Sequence, residues 1–87
     1  MPSNPNQSVF CPAGQWTKVL WSTFVFKEYT GAFSVGGLTI GWRRYADLPP
    51  FYTEGTHSTD QTFGAIVAGA YCDFWFNPPV NVTVSWT

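Results

Sequence analysis

Apolar residues recur at every second position in several segments, and this period of two constrains the fold more than any other feature of the sequence. The pattern is clearest in the last eight residues, whose apolar members are Val80, Val82, Val84 and Trp86. Successive side chains of a β-strand point to opposite faces, so this alternation predicts a strand with one buried face. No segment has the 3.6-residue period of an amphipathic helix, and we therefore expect an all-β fold.

Glycine, proline and asparagine divide the chain into β-prone segments, which are residues 8–11, 15–29, 32–35, 38–46, 63–76 and 80–87. A chain of 87 residues has room for one domain. We predict a small antiparallel β-sandwich or barrel-like domain of about six to seven strands over residues 8–87. Residues 1–7 are predicted to form an extended arm before this domain, because the segment holds two prolines and two asparagines. The expected core is Val19, Trp21, Ile40, Trp42, Ile66, Phe74, Val82 and Val84.

The balance between charged and aromatic residues points to assembly. Charged residues make up 10% of the chain and aromatic residues 20%, whereas the surface of a soluble monomer is about a quarter to a third charged. Protein interfaces are poor in Lys, Glu and Asp and rich in Tyr, Trp and Phe. Residues 15–29 are also apolar on both strand faces. We therefore expect protein partners or copies of the chain itself to cover part of the surface; the alternative is an uncharged surface free of partners.

Charge and hydropathy argue against nucleic acid and against a membrane as partners. The net charge is -1 and there is no basic stripe, so nucleic acid is not expected as a partner. No apolar run approaches the roughly 20 residues that span a bilayer, and the N-terminal segment lacks the features of a signal peptide.

The two cysteines, Cys11 and Cys72, are compatible either with one disulfide or with two buried thiols.

The single histidine gives little support for catalysis. His57 lies in a segment, 51–62, that is predicted to be a polar loop, together with Glu54 and Asp60. A catalytic triad needs groups held in register by different elements, and a zinc site needs more nitrogen or sulfur ligands than one histidine supplies. We therefore expect a non-enzymatic protein without catalytic residues, cofactor or metal, and a loop that contacts solvent or a partner.

Aromatic and arginine side chains are the remaining candidates for binding. An arginine such as Arg43 can contact a carboxylate or phosphate of a partner, and exposed Trp and Tyr rings can stack on sugar rings. The candidate binding residues are Trp16, Arg43, Tyr45, Tyr52, His57 and Trp86. They leave a carbohydrate-binding module or lectin as the alternative function, with a glycan as partner. Core packing is the competing interpretation of the aromatic residues.

Residues 9–19, Val-Phe-Cys-Pro-Ala-Gly-Gln-Trp-Thr-Lys-Val, predict a strand, a Pro-Ala-Gly turn and a second strand that begins near Trp-Thr. This pattern resembles small β modules of phage virions. The resemblance implies a structural accessory protein of the virion, decorating the capsid or associated with the tail and present in many symmetric copies. It carries over no functional residue.

Overall fold

The computed structural model describes residues 8–87, with the side chains of all of these except 22–26 and 67–70. The strands are β1 (Ser8–Cys11), β2 (Thr17–Phe33), β3 (Thr39–Ala46), β4 (Tyr52–Ser58), β5 (Phe63–Asn77) and β6 (Val82–Trp86). They pair antiparallel in the order β1-β6-β2-β5-β3-β4. The all-β prediction is confirmed, and residues 8–87 contain no helix able to cross a membrane. The predicted arm, residues 1–7, lies outside the described residues.

The sheet folds over on itself because its two longest strands, β2 and β5, belong to both of its halves. The first part of β2 pairs with the last part of β5, beside β3 and β4; the last part of β2 pairs with the first part of β5, beside β6 and β1. Phe63 and Phe76, at opposite ends of β5, have ring centroids 5.1 Å apart. An extended strand would separate them by about 40 Å. The two four-stranded halves therefore face each other as the layers of a small sandwich.

Register shifts in the β2–β5 ladder between Ser22 and Phe26 mark the bend. An irregularity of this kind adds an unpaired residue and bends the strand. On β5 the buried positions are odd before the bend, at Phe63 and Ala65, and even after it, at Cys72 and Phe74. Ile66 was predicted to lie in the core from the alternation of the later part of the strand. That prediction is wrong, and Ile66 is 57% exposed, because the alternation changes phase at the bend.

The core combines side chains from both layers. Five of the predicted core residues are buried, and these are Val19, Ile40, Phe74, Val82 and Val84. Trp42 is partly buried and packs against them. Trp21 is not a core residue: a register shift between Lys18 and Leu20 buries both Val19 and Leu20. Trp21 then shares a face with Lys18, whose Nζ lies 5.5 Å from the centroid of its ring.

The predicted polar loop at residues 51–62 contains an edge strand instead. Among the described strands β4 pairs with β3 alone, and it exposes most of its residues to solvent, which explains its polar sequence. Gly55 is required in this strand because the Trp42 ring lies against it. A Cβ atom built on Gly55 would lie 3.1 Å from that ring. The glycine that indicates a turn in the sequence is thus a site of close packing.

Of residues 32–35, predicted as a separate strand, the first two form the end of β2, which ends at Phe33. Gly31 does not start a turn; it lies inside the strand and is covered by the Trp86 ring, whose atoms would lie 3.0 Å from a Cβ atom at this position.

The cysteines form no disulfide. Cys11 and Cys72 are separate buried thiols, and burial raises the pKa of Cys11 to about 11.

Candidate functional site

The outer surface of the layer that contains β3 and β4 carries a dense group of aromatic and charged side chains. Residues directly opposite one another on neighbouring antiparallel strands present their side chains to the same face. One row across the four strands consists of Lys18, Trp75, Arg43 and Glu54, and the next row consists of Trp21, Asp73, Tyr45 and Tyr52. We call these residues, together with Trp16, the outer aromatic face.

Arg43 lies at the centre of this face. Its guanidinium carbon is 3.9 Å from the centroid of the Trp16 ring, which is the stacked geometry that arginine adopts on aromatic rings. Its Nε lies 3.9 Å from Oε2 of Glu54 on β4. Trp16, just before β2, reaches across β3 at Gly41, where a Cβ atom would lie 3.4 Å from the indole. The absent side chain at Gly41 lets the indole lie close to the sheet.

A cleft of about 210 Å³ opens in this face, lined by Trp16, Arg43, Tyr45 and Trp75. Among the described side chains, Nε of Arg43, Nε1 of Trp75 and Oδ1 of Asp73 are buried atoms without a hydrogen-bond partner. Most buried polar atoms in folded proteins are hydrogen-bonded, so each exception calls for an explanation. Three such atoms lie on this face, and a fourth, Nε1 of Trp86, lies in the core.

Tyr45 and Tyr52 extend the face to the edge of the sheet. Each is 42% exposed, and their ring centroids are 5.0 Å apart with an angle of 52° between the planes. The Tyr52 hydroxyl donates a hydrogen bond of 2.8 Å to Oε2 of Glu54. This hydrogen bond, followed by burial and the charge of Glu54, raises the pKa of Tyr52. The phenol therefore remains a protonated donor and fixes the position of the carboxylate.

Tyr71 holds a second carboxylate of the face in the same way. A hydrogen bond to Asp73 raises the pKa of Tyr71 to about 12, with further contributions from burial and from the charges of Asp73 and Asp47. One Asp73 oxygen, Oδ1, still has no partner. The acidic groups of this face are thus positioned by tyrosine hydroxyls.

The structure places four of the six predicted binding residues together, since Trp16, Arg43, Tyr45 and Tyr52 belong to the outer aromatic face. Trp86 does not: it is 1% exposed and stacks on the Phe76 ring, with centroids 6.3 Å apart and planes 10° apart. A residue on the buried parity of β6 fills the core and is unavailable to a partner in solution. The prediction of Trp86 as a binding residue is therefore wrong.

His57 also lies away from the outer aromatic face. Its ring packs against Phe63, with centroids 5.2 Å apart, and against Phe33 at 5.8 Å. Its Nε2 is 3.2 Å from the carbonyl oxygen of Gln61. On β4, His57 and Glu54 differ in parity and therefore face opposite sides of the strand. His57 thus packs at the junction of β4 and β5.

Asp60, the other acidic neighbour of His57 in the sequence, accepts a hydrogen bond of 2.7 Å from the backbone N–H of Gly37. Glu54, His57 and Asp60 thus have separate partners and do not converge. Within residues 8–87, no three His, Cys, Asp or Glu side chains are grouped so as to hold a metal ion.

Trp75 is the functional candidate that the sequence interpretation missed. The residue sits between Phe74 and Phe76, which are both buried, and so has the opposite parity. That parity was visible in the sequence and predicts an outward-facing indole.

Comparison of the chain with protein-family models, with curated proteins and with solved structures finds no significant match. The functional argument therefore depends on the geometry of the outer aromatic face.

Proposed function

We propose that this protein is a non-enzymatic binding module that docks on other proteins, including its own copies, through the outer aromatic face. The observation that carries the proposal is the grouping of Trp16, Arg43, Tyr45 and Trp75 on one exposed sheet surface. Trp, Tyr and Arg are the residues that contribute most to the free energy of protein association.

The arrangement of the face favours a protein partner. The guanidinium of Arg43 is already oriented by Trp16 and Glu54, so little conformational entropy is lost when it contacts a partner. The cleft lined by Trp16, Tyr45 and Trp75 supplies aromatic surface, with the guanidinium of Arg43 as its polar group. An apolar centre with a few oriented polar groups is typical of protein interfaces.

A glycan is the second candidate, because the cleft between Trp16 and Trp75 combines two indoles with the guanidinium of Arg43. Sugar stacking requires an accessible, flat aromatic surface. Here the guanidinium of Arg43 occupies one face of Trp16, and the planes of Tyr45 and Tyr52 are tilted by 52°. These two features favour the protein partner over the glycan.

The resemblance of residues 9–19 to small β modules of phage virions extends the proposal to the kind of assembly. In this form the module is an accessory protein of a virion, attached to the capsid or the tail in many copies. Its partner surface is then a repeated one, so a modest affinity per copy suffices when copies also contact each other.

Light scattering over a range of protein concentrations tests the proposal with two outward-facing aromatic residues, one on the outer aromatic face and one elsewhere, as a matched pair. Trp75→Ala removes an indole from the outer aromatic face, and Phe10→Ala removes a ring that is 57% exposed on β1. We expect the wild type and Phe10→Ala to associate as concentration rises, and Trp75→Ala to remain monomeric. A wild-type monomer at every concentration would reject docking between copies.

The glycan alternative has its own experiment. Polysaccharides and oligosaccharides are added to the wild type while tryptophan fluorescence is recorded, and the same titration is repeated with Trp75→Ala. A saturable fluorescence change that disappears in the variant would favour the glycan. We expect no saturable change.

A further inference from the structure

A second cleft, of about 780 Å³, lies between β4 and the first part of β5, away from the outer aromatic face. Thr56 and His57 line it on the β4 side, and residues 63–66 line it on the β5 side. Its deeper wall includes Trp42 and the buried ring of Phe74. The two strands are consecutive in the chain but do not pair with each other. The sandwich is therefore open along this seam down to the core.

The open edge of β4 can be assigned from two hydrogen bonds of the β3–β4 ladder. The backbone N–H of Thr59 donates to the carbonyl of Leu38, and that of Ala46 donates to the carbonyl of Phe51, both at 2.9 Å. In an antiparallel pair, the residues that bond to the neighbouring strand alternate with residues whose backbone groups point away. Odd-numbered residues of β4 therefore bond to β3, and the N–H and C=O of Thr56 point outward.

The same reasoning applies to β5. Thr30 and Thr87 exchange two backbone hydrogen bonds of 3.0 Å, so the backbone groups of Thr30 point towards β6. Its neighbour Gly31 then bonds to β5, where its partner is Phe63. The backbone groups of Gly64 and Ile66 consequently point away from β2. Within residues 8–87, no strand pairs with this side of residues 63–66.

We infer that this seam binds an extended segment of another protein, which adds as a strand to the open edge of β5. Such strand addition uses backbone hydrogen bonds for affinity and side-chain pockets for specificity. The outward backbone groups of Gly64 and Ile66 supply the hydrogen bonds. The space around Gly64 is open, since no atom lies within 4 Å of the position a Cβ would take. Alternate side chains of the segment then enter the cleft beside Phe74.

The charge of the cleft defines the chemistry of that segment. Among the described residues that line the cleft, Arg44 is the one side chain with a fixed charge, and none is Asp or Glu. A guanidinium has five N–H donors. Arg44 uses one for the carbonyl of Pro50, at 3.0 Å, and one for the sulfur of Cys72, at 3.5 Å. The remaining donors favour a carboxylate, so one of the side chains that enter the cleft is an Asp or Glu and the others are apolar.

The test uses a synthetic peptide, acetyl-Thr-Val-Thr-Glu-Thr-Val-amide, whose Val and Glu side chains share one face of an extended strand, and two variants at one position. Gly64→Pro removes the outward N–H without removing a bond to β2, whereas Gly64→Ala keeps it. We expect the peptide to bind the wild type and Gly64→Ala, and to bind Gly64→Pro at least fivefold more weakly. Amide exchange of the wild type should slow at Gly64 and Ile66 when the peptide is added.

Peptide variants keep the test valid if Gly64→Pro does not fold. Methylation of alternate backbone nitrogens gives two complementary peptides, of which only one retains the N–H groups that face β5. We expect one of the pair to bind the wild type and the other to bind at least fivefold more weakly. Replacing Glu by Gln in the peptide should weaken binding about fivefold through loss of the contact with Arg44.

Three results would overturn the inference. One is absence of binding by the parent peptide at millimolar concentration; another is equal affinity of the two methylated peptides for the wild type. The third is binding that leaves amide exchange at Gly64 and Ile66 unchanged, since the peptide would then occupy another surface.

Discussion

The inner and outer faces of the layer that contains β3 are both aromatic, yet their side chains are in opposite environments. On β5, Phe74 and Phe76 point inward and are at most 3% exposed, whereas Trp75 between them points outward beside Arg43. The inner rings pack in edge-to-face contacts, such as that of Phe63 with Phe76. The outer rings contact charged groups and each other. The aromatic surplus of this chain therefore divides between a core and a surface.

The difference shows what each set of rings contributes. Burying an aromatic side chain removes 150–250 Å² from water, which dominates the stability of a small core. Rings of the outer aromatic face stay partly in water, so most of that gain is realised only when a partner covers them. We therefore expect substitutions on the two faces to separate stability from association.

The largest effect is expected from Phe76→Ala on the inner face. Phe76 is fully buried against Phe63 and Trp86, and removing its ring leaves a cavity. The free energy of unfolding should fall by about 3–5 kcal/mol. Trp75→Ala, one position earlier on the outer face, should lower it by only about 1 kcal/mol. Urea denaturation measures both, and similar losses in the two variants would contradict the distinction between the faces.

A smaller effect is expected from Gly55→Ala, which tests how tightly the inner face is closed by β4. The added methyl group would lie 3.1 Å from the Trp42 ring, so the ring or the strand has to shift. We expect a loss of about 1–3 kcal/mol in the free energy of unfolding. Gly64→Ala is the matched control, since nothing lies within 4 Å of its added group. Equal stability of the two variants would show that β4 or the Trp42 ring shifts at little cost in free energy.

The smallest effect concerns pH and the outer face. The pKa of Tyr71 is raised to about 12, chiefly by its hydrogen bond to Asp73, from an ordinary value near 10. The folded protein holds this proton more tightly than the unfolded chain. This contribution to stability is therefore complete below about pH 10 and is lost as the pH rises to about 12.

Urea denaturation across this pH range, compared with Tyr71→Phe, measures the contribution of Tyr71. The variant should lose stability less steeply, and Asp73→Asn should lower the pKa of Tyr71 as followed by ultraviolet absorbance. Parallel losses of stability in the wild type and Tyr71→Phe would exclude this hydrogen bond as the cause.

The strands of regular alternation were predictable from the sequence. Val82, Val84 and Trp86 are all buried, as their spacing on β6 indicates. The exposure of Ile66 was not predictable, because the bend that changes the phase of β5 arises from pairing with β2. β4 was taken for a loop because an edge strand needs little apolar sequence, and the packing of Trp42 on Gly55 becomes visible only in the fold.

The candidate site was predictable in part. Trp16, Arg43, Tyr45 and Tyr52 were identified by residue type, and the alternation of β5 contained the signal for Trp75. What the sequence lacks is the pairing of distant strands, which places Arg43 opposite Trp75 and Glu54. The burial of Trp86 depends likewise on Phe76 and Gly31, which precede it by many residues.

The pairing of β1 with β6 also affects how the protein is made. Ser8 lies opposite Ser85, so β1 pairs with a strand that follows it by 77 residues in the sequence. A ribosome adds roughly 5–20 residues per second, so β1 is synthesised several seconds before β6. During that interval the backbone of β1 is an unpaired template, and Cys11, buried in the folded protein, is open to oxidation. In the folded protein β6 covers one side of β1, so a chaperone that covers nascent chains would act on β1 before this pairing forms.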